Sequence, residues 1–405
     1  MGKITFIGDI TTDRPLLNAS VTDDGKYSFS DVFKATRSLF EESDLVVGNL
    51  ETAVSKTMKD EFFICRSPKE LIKDISEGGI SCLVTANNHC LDQGIDGAKY
   101  SLDVLDEYNI SHVGTRRNND EDRILYKDID GCKVAILSMT DSTNESNTGI
   151  SLNSRNDYVV NVLKPQVVEF SGSPFSSKIK KIIFKVIGAK NIRAIKRQVL
   201  RRRTKGGSSC MKPYTDQIFQ GDLDNMYINK MLADVKEASS KADICIAVPH
   251  IGGQFNPEPG KYCNTVDNML LDNGASAVVS HHPHIIQKAV RREDGKFIAY
   301  SVGSFNQSVS ADYIVHDDYP EYSIAVHFYT DKEEEKYRIT KITFSILKIV
   351  EYENKKITVY PVYDLYEKEN EEGRKVLIKE IEDIYLKVTD NKQKFPGMEK
   401  EYVFQ

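Results

Sequence analysis

Nowhere in the chain does an apolar run approach the roughly 20 residues that a helix needs to cross a bilayer. The opening, MGKITFIGDI, enters a strand-like run without the basic and apolar blocks of a signal peptide. The expectation is a protein with no export address, cytoplasmic or peripheral at the inner membrane face. Paired cysteines are missing as well. The seven cysteines are scattered singly and form no CxxC, which excludes a zinc knuckle and a disulfide framework. Cys245, inside DICIAVP, reads as a small buried hydrophobe, and a reducing compartment suits the set. No internal repeat is visible. A hydrophobic fraction of 40% excludes disordered, collagen-like and coiled-coil classes and supports a substantial core.

Acidic residues are absent from one stretch. Residues 176–212 hold 13 Lys or Arg and no Asp or Glu, leaving 41 basic against 60 acidic side chains elsewhere, a balance of −19. A basic segment therefore interrupts an acidic body. One reading is contact with an anionic polymer, an envelope precursor or a membrane surface, with Arg201, Arg202 and Arg203 at its densest point. The other is a helical excursion with a solvated charged face, since Ile179, Ile182, Ile183, Val186 and Ile187 follow helical spacing. The aromatic interleaving that stacks bases is missing, which argues against nucleic acid.

What is present elsewhere is alternation. Candidate strands are Lys3–Gly8, Asp44–Gly48, Ser81–Ala86, Lys133–Met139, Asp243–Pro249, Ser276–Ser280 and Phe297–Val302. Between them, Gly94–Glu107, Asp224–Ser240 and Lys261–Asn273 carry apolar residues at helical intervals. Runs such as ICIAV are those of strands buried on both faces, so the pattern predicts an α/β fold with helices covering a sheet. After about residue 320, EYSIAVHFYTD, YRITKITFSILKIVEY and KKITVYPVY predict antiparallel strands, and Glu371–Lys387 a closing charged helix.

The polar residues that follow these strands are the informative ones. The first strand ends in Gly8-Asp9, the second in Gly48-Asn49-Leu50-Glu51, and the third runs into Asn87-Asn88-His89. The fifth delivers His250 and the sixth His281-His282-Pro283-His284, so five of the eight histidines fall in such clusters. In open α/β sheets the strand carboxyl ends converge on one crevice. Asp9, Glu51, Asn88, His89, His250, His282 and His284 are therefore expected in one small region. Gathered there as mere packing, two carboxylates would repel and several imidazoles would lack partners. A divalent cation resolves both problems. With no thiolate in the set, its nitrogen and oxygen donors suit manganese, iron or zinc.

In order, GD, GNLE, ANNHCLDQG, PHIGGQ, SHHPHIIQ and YSVGSF resemble the capsule-biosynthesis CapA (poly-γ-glutamate synthesis, PGA_cap) family of the calcineurin-like metallophosphoesterase superfamily. The resemblance runs from Lys3 to about Phe305 and omits the basic excursion. It implies a two-layer β-sandwich flanked by helices, a domain over 1–330 interrupted by a basic helical insertion at 165–215, with 331–405 completing the same domain. It also implies one or two metal ions. Asp9 would ligate the first and Glu51 would bridge; Asn88, His250 and His282 would hold the second, and His284 would return to the first. His89 would be the general acid and Asp92 its orienting partner.

Three departures from the family pattern stand out. Thr11 falls where the superfamily commonly has a ligating histidine. His250-Ile251-Gly252-Gly253-Gln254 replaces His-Trp-Gly-x-Glu, so an aromatic wall is lost and Gln254 faces substrate as an amide. Ser304 replaces the usual Asn of Tyr-Ser-Leu-Gly-Asn-Phe. Arg66, in FICRSP, is either a fork for an anionic substrate group or part of a surface salt bridge. His281, adjacent to a ligand but pointing to the other face, is expected behind the metal rather than on it. The leading expectation is a metal-dependent hydrolase of a capsule or cell-envelope polymer, cleaving a phosphoester or a γ-glutamyl amide. The alternatives are a non-catalytic metal-bearing accessory that binds an anionic polymer, and a nucleotide or nucleic-acid phosphodiesterase.

Overall fold

The computed structural model describes residues 1–58, 65–167 and 216–404. The basic stretch 176–212, with Arg201, Arg202 and Arg203, lies outside the described residues, as does all of the expected insertion except residues 165–167.

Fourteen strands are described. In chain order they are β1 (Gly2–Ile10), β2 (Leu45–Leu50), β3 (Cys82–Val84), β4 (Ser111–Val113), β5 (Leu125–Ile129), β6 (Cys132–Thr140) and β7 (Ile244–His250). There follow β8 (Ala277–Val279), β9 (Ala289–Arg291), β10 (Phe297–Ala299), β11 (Tyr322–Glu333), β12 (Lys336–Glu351), β13 (Ile357–Pro361) and β14 (Tyr402–Val403). They build two sheets, ordered β13-β12-β11-β1-β2-β3-β4 and β5-β6-β7-β8-β10-β9, with β14 added on β12. β1 through β4 pair in parallel, as do β6, β7, β8 and β10, while β11 joins β1 antiparallel.

The sheets pack face to face because each strand alternates its apolar side chains. Ile4, Phe6, Val47 and Val84 of the first meet Val134, Ile136, Ile246 and Phe297 of the second in one buried cluster. Phe328 stands edge-on to both Phe6 and Phe297, with ring centres 5.7 Å away in each case. Truncating any of these rings to Ala would cost about 3–5 kcal/mol in transfer and cavity energy. The outer faces are covered by helices. Leu71, Ile72 and Ile75 of Lys69–Glu77 and Leu102 and Leu105 of Gly94–Glu107 lie on Val46, Leu50 and Leu83. Ile228, Met231 and Val235 of Met226–Lys241 and Val266 and Leu270 of Lys261–Asp272 lie on Leu137, Cys245 and Ala247. The closing helix, Glu371–Val388, starts at Asn370, whose side chain accepts from the Glu372 and Gly373 amides, and it packs Ile381, Ile384 and Tyr385 on the end of the inter-sheet core.

All seven expected strands are present, and the expected helices agree with the observed ones to within two residues. The third and seventh strands are shorter than expected, stopping at Val84 and Ala299. Beyond those points the chain leaves the ladder to deliver Asn87-Asn88-His89 and Ser301–Ser304. β4, β5 and β9 carry too weak an alternation to be read from sequence.

One irregularity positions the site. Phe6 pairs with Val47 but Asp9 pairs with Asn49, so β1 carries one extra residue between them. Asp9 then turns to the strand-like segment after β10: its amide donates to the Gly303 carbonyl at 3.1 Å, and Phe305 N–H donates back to the Asp9 carbonyl at 2.8 Å. This approach needs glycine on both sides. A Cβ at Gly8 would lie 2.2 Å from the Gly303 carbonyl oxygen, and Gly303 itself adopts φ +80.

Candidate metal centre

The carboxyl ends of β1, β2 and β3 in one sheet and of β7 and β8 in the other open at the same end of the sandwich. Asp9, Glu51, Asn88, His250, His282 and His284 meet there. Glu51 is the shared member: Oε1 lies 3.4 Å from His250 Nε2 and 3.6 Å from His284 Nε2. His250 Nε2 lies 3.0 Å from both Asn88 Oδ1 and His282 Nδ1. Asp9 Oδ2 lies 3.2 Å from His284 Nδ1. Two donor groups result, Asp9 with Glu51 and His284, and Glu51 with His250 and His282, each offering atoms within 4.8 Å of one another. His282 and His284 adopt φ +101 and +60, a left-handed path around Pro283 that turns both rings inward. Such conformations persist only where the surroundings enforce them.

These groups fit a divalent cation. Glu51 is only 1% exposed, and neither of its carboxylate oxygens has a hydrogen-bond partner. A buried carboxylate in that state is costly unless a cation completes it. The remaining titration follows from charge. Burial would raise the Asp9 carboxyl, but hydrogen bonds and charge from His281 and His284 hold it well below the usual carboxylate range. Burial lowers His284, yet Glu51 and Asp9 outweigh it and raise the imidazole. His282 is pushed well below its ordinary value by burial and by the neighbouring His250 and His284, leaving neutral lone pairs.

His89 stands beside this cluster, near enough for its charge to act on His282 and His284. Its Nδ1 lies 2.6 Å from Asp92 Oδ2, and its side chain is 19% exposed. Burial opposes protonation, but Cys65 and Asp92 raise the imidazole well above its ordinary value.

Residues 3–308 match the family described as bacterial capsule synthesis protein PGA_cap. The chain belongs to that family. The PGA biosynthesis protein CapA of Bacillus subtilis (strain 168) is 24% identical over 307 residues, covering 74% of this chain and 62% of its own length. The capsule biosynthesis protein CapA of Bacillus anthracis is 24% identical over 310 residues, covering 75% and 59%. The chain thus spans about three-fifths of these relatives. The solved structure of a calcineurin-like phosphoesterase from Bacillus subtilis overlaps 85% of this chain and 90% of its own, at 14% identity and a TM-score of 0.35.

In this PGA_cap chain the remaining expected residues fall in different places. His281 lies behind the cluster, with Nδ1 3.0 Å from Asp9 Oδ1. Arg66 is buried, in the segment just before Lys69–Glu77. Gln254 is half-buried in the turn after β7, and among the described residues no hydrogen bond joins it to the cluster. Aromatic cover comes instead from Phe255, whose ring centre is 5.8 Å from that of His284 and 6.4 Å from that of Tyr313. Thr11 donates its backbone N–H to Asn306 Oδ1 at 2.8 Å.

Sequence reading missed three contributors. Asn49 Nδ2 donates to Asp9 Oδ1 at 2.7 Å and lies 3.0 Å from His250 Nδ1, while Asn87 Nδ2 donates to Asn49 Oδ1. Their place beside Glu51 and Asn88 was the available signal. The third is Cys65, whose Sγ lies 3.9 Å from His89 Nε2. Cys65 is remote from every strand-end cluster in sequence, and only the fold brings its sulfur to His89.

Proposed function

We propose that this chain is a metal-dependent hydrolase of the CapA type, acting in capsule or cell-envelope polymer metabolism on poly-γ-glutamate, a polysaccharide or their precursors. The observation that carries the reading is Glu51, buried and without hydrogen bonds between two imidazole-bearing groups. Asp9, Glu51 and His284 would hold one divalent ion, and Glu51, His250, His282 and Asn88 a second; manganese, iron and zinc suit such donors. Bound there, the ions would lower the pKa of a water and polarise the scissile phosphoester or γ-glutamyl amide.

The chain's own side chains supply the rest. His89, whose imidazole Cys65 and Asp92 raise well above its ordinary value against burial, presents Nε2 for a departing oxygen or nitrogen, and Asp92 fixes the ring through Nδ1. His281 and Asn49 fix the Asp9 carboxylate from behind. Phe255 screens one side of His284 from water.

The test is turnover of an aryl phosphodiester and of poly-γ-glutamate by purified protein with each metal in turn. Metal-dependent turnover that drops by about 10²–10⁴-fold in His89→Ala, with the metal of the Glu51-centred groups retained, supports the reading. Bound metal without turnover on either substrate sinks it. A second reading would then take its place, a non-catalytic accessory that binds an anionic polymer. It is favoured by Thr11, which offers no imidazole beside Asp9, and by the basic run at 176–212.

A further inference from the structure

Cys65 belongs to neither donor group around Glu51, yet it is built into the neighbourhood of His89. Its backbone N–H donates to Asp92 Oδ2 at 2.5 Å, the same oxygen that faces His89 Nδ1 at 2.6 Å. Its sulfur lies 3.9 Å from His89 Nε2. The other carboxylate oxygen, Asp92 Oδ1, is buried and has no hydrogen-bond partner. Donor atoms of Cys65, His89 and Asp92 all lie within 4.8 Å of one another. Cys65 and His89 are both partly exposed, so an ion can enter and a water can complete its shell.

Thiolate and imidazole together select a softer ion than the nitrogen and oxygen donors around Glu51 do, and a carboxylate on the far ring nitrogen, as Asp92 is on Nδ1, makes the imidazole a better ligand. In a tetrahedral zinc site, bonds of about 2.3 Å to sulfur and 2.0–2.1 Å to nitrogen place those two donors about 3.6 Å apart. The 3.9 Å between Cys65 Sγ and His89 Nε2 is within a small side-chain adjustment of that spacing.

We propose that Cys65 Sγ and His89 Nε2, with Asp92 fixing the ring from Nδ1 and water completing the shell, form a second, thiolate-containing site for a zinc-like divalent cation, distinct from the Glu51-centred groups. Binding displaces the thiol proton to solvent and occupies the imidazole. On the reading of His89 as proton donor given above, and only there, an ion at this site is inhibitory.

Cobalt(II) is the probe, because thiolate-to-cobalt charge transfer absorbs in the near ultraviolet and nitrogen and oxygen ligands give no such band. Titrated into the full chain, cobalt is expected to produce that band. Cys65→Ser and Cys65→Ala should each lose it, together with one equivalent of bound cobalt, and keep the rest. Cys210→Ser, which removes a thiol outside the described residues, should retain it. A wild-type titration without the band, its survival in both Cys65 variants, or its loss in Cys210→Ser overturns the site. In the activity arm, excess zinc should inhibit wild type and spare Cys65→Ser; equal inhibition of both overturns the inhibitory role. Should the chain hydrolyse nothing, the cobalt band still decides binding, so the two readings fail separately.

Discussion

At Glu51 the requirements of folding and of binding pull in opposite directions. Its two oxygens are buried without hydrogen bonds, which penalises the metal-free protein. Glu51→Gln removes that charge. Without metal the variant should therefore melt at or above the wild-type temperature, while added manganese should no longer raise it. In wild type, metal at a hundred-fold excess over Kd should add about 2.7 kcal/mol. Paired thermal melts with and without manganese check both statements, and a variant that melts well below metal-free wild type would contradict the first. Asp92→Asn offers a milder change at His89: the ring loses its anionic partner, so turnover should fall while metal at the Glu51-centred groups is retained. At this scale much of the site was legible. Asp9, Glu51, His250 and the His282/His284 pair follow strands directly, and strand ends converge whatever the intervening length. Cys65 was not legible, because nothing local links a single cysteine to an imidazole in a different loop.

Among the elements, β1 carries the tightest constraint. Its extra residue and the Gly8–Gly303 crossing aim Asp9 at the site. In Gly8→Ala the new methyl meets backbone that cannot step aside, so destabilisation of about 1–3 kcal/mol is expected, with weakened metal binding. Chemical denaturation and metal analysis of the same preparation test the coupling, and a stable variant with normal metal content would refute it. β11 supplies a pH-dependent element. His327 is buried between Thr5 Oγ1, 2.7 Å from Nδ1, and Ser345 Oγ, 3.1 Å from Nε2. Burial, aided by the charge of Lys3, lowers its imidazole from 6.5 to about 3. In the folded protein the ring therefore stays neutral, while the unfolded chain takes up a proton below 6.5. Stability should fall as pH falls from 6.5 towards 3, and His327→Gln should flatten that limb by one proton. Denaturant midpoints across the range provide the measurement. The central strands were readable as continuous apolar runs. The β1 irregularity was not, because ITFIGDI reads as an uninterrupted strand and the extra residue exists only relative to β2.

For the whole molecule, the charge imbalance is the feature that sequence alone carries. We expect that changing Arg201, Arg202 and Arg203 to Gln weakens binding to poly-γ-glutamate or anionic vesicles. Wild-type binding should also fall with added salt, since screening acts over about 10 Å at 0.1 M. Salt-independent binding, or equal binding by the variant, would return this stretch to a solvated face. Among the described residues no helix is long and apolar enough to cross a membrane. The two-layer arrangement was legible through the family resemblance, but the strand order was not. Neighbouring β1 and β11 are separated by most of the chain, and no local pattern announces a pairing of that span.

That pairing has a consequence for synthesis. Gly2 through Phe6 find their antiparallel partners only at Val326 through Thr330. As the ribosome extends the polypeptide, one flank of β1 therefore stays open until more than three hundred further residues have emerged. Loop closure over that length is slow, and an exposed strand edge invites association with other nascent chains. Early engagement by a holdase chaperone would shield β1 through that interval.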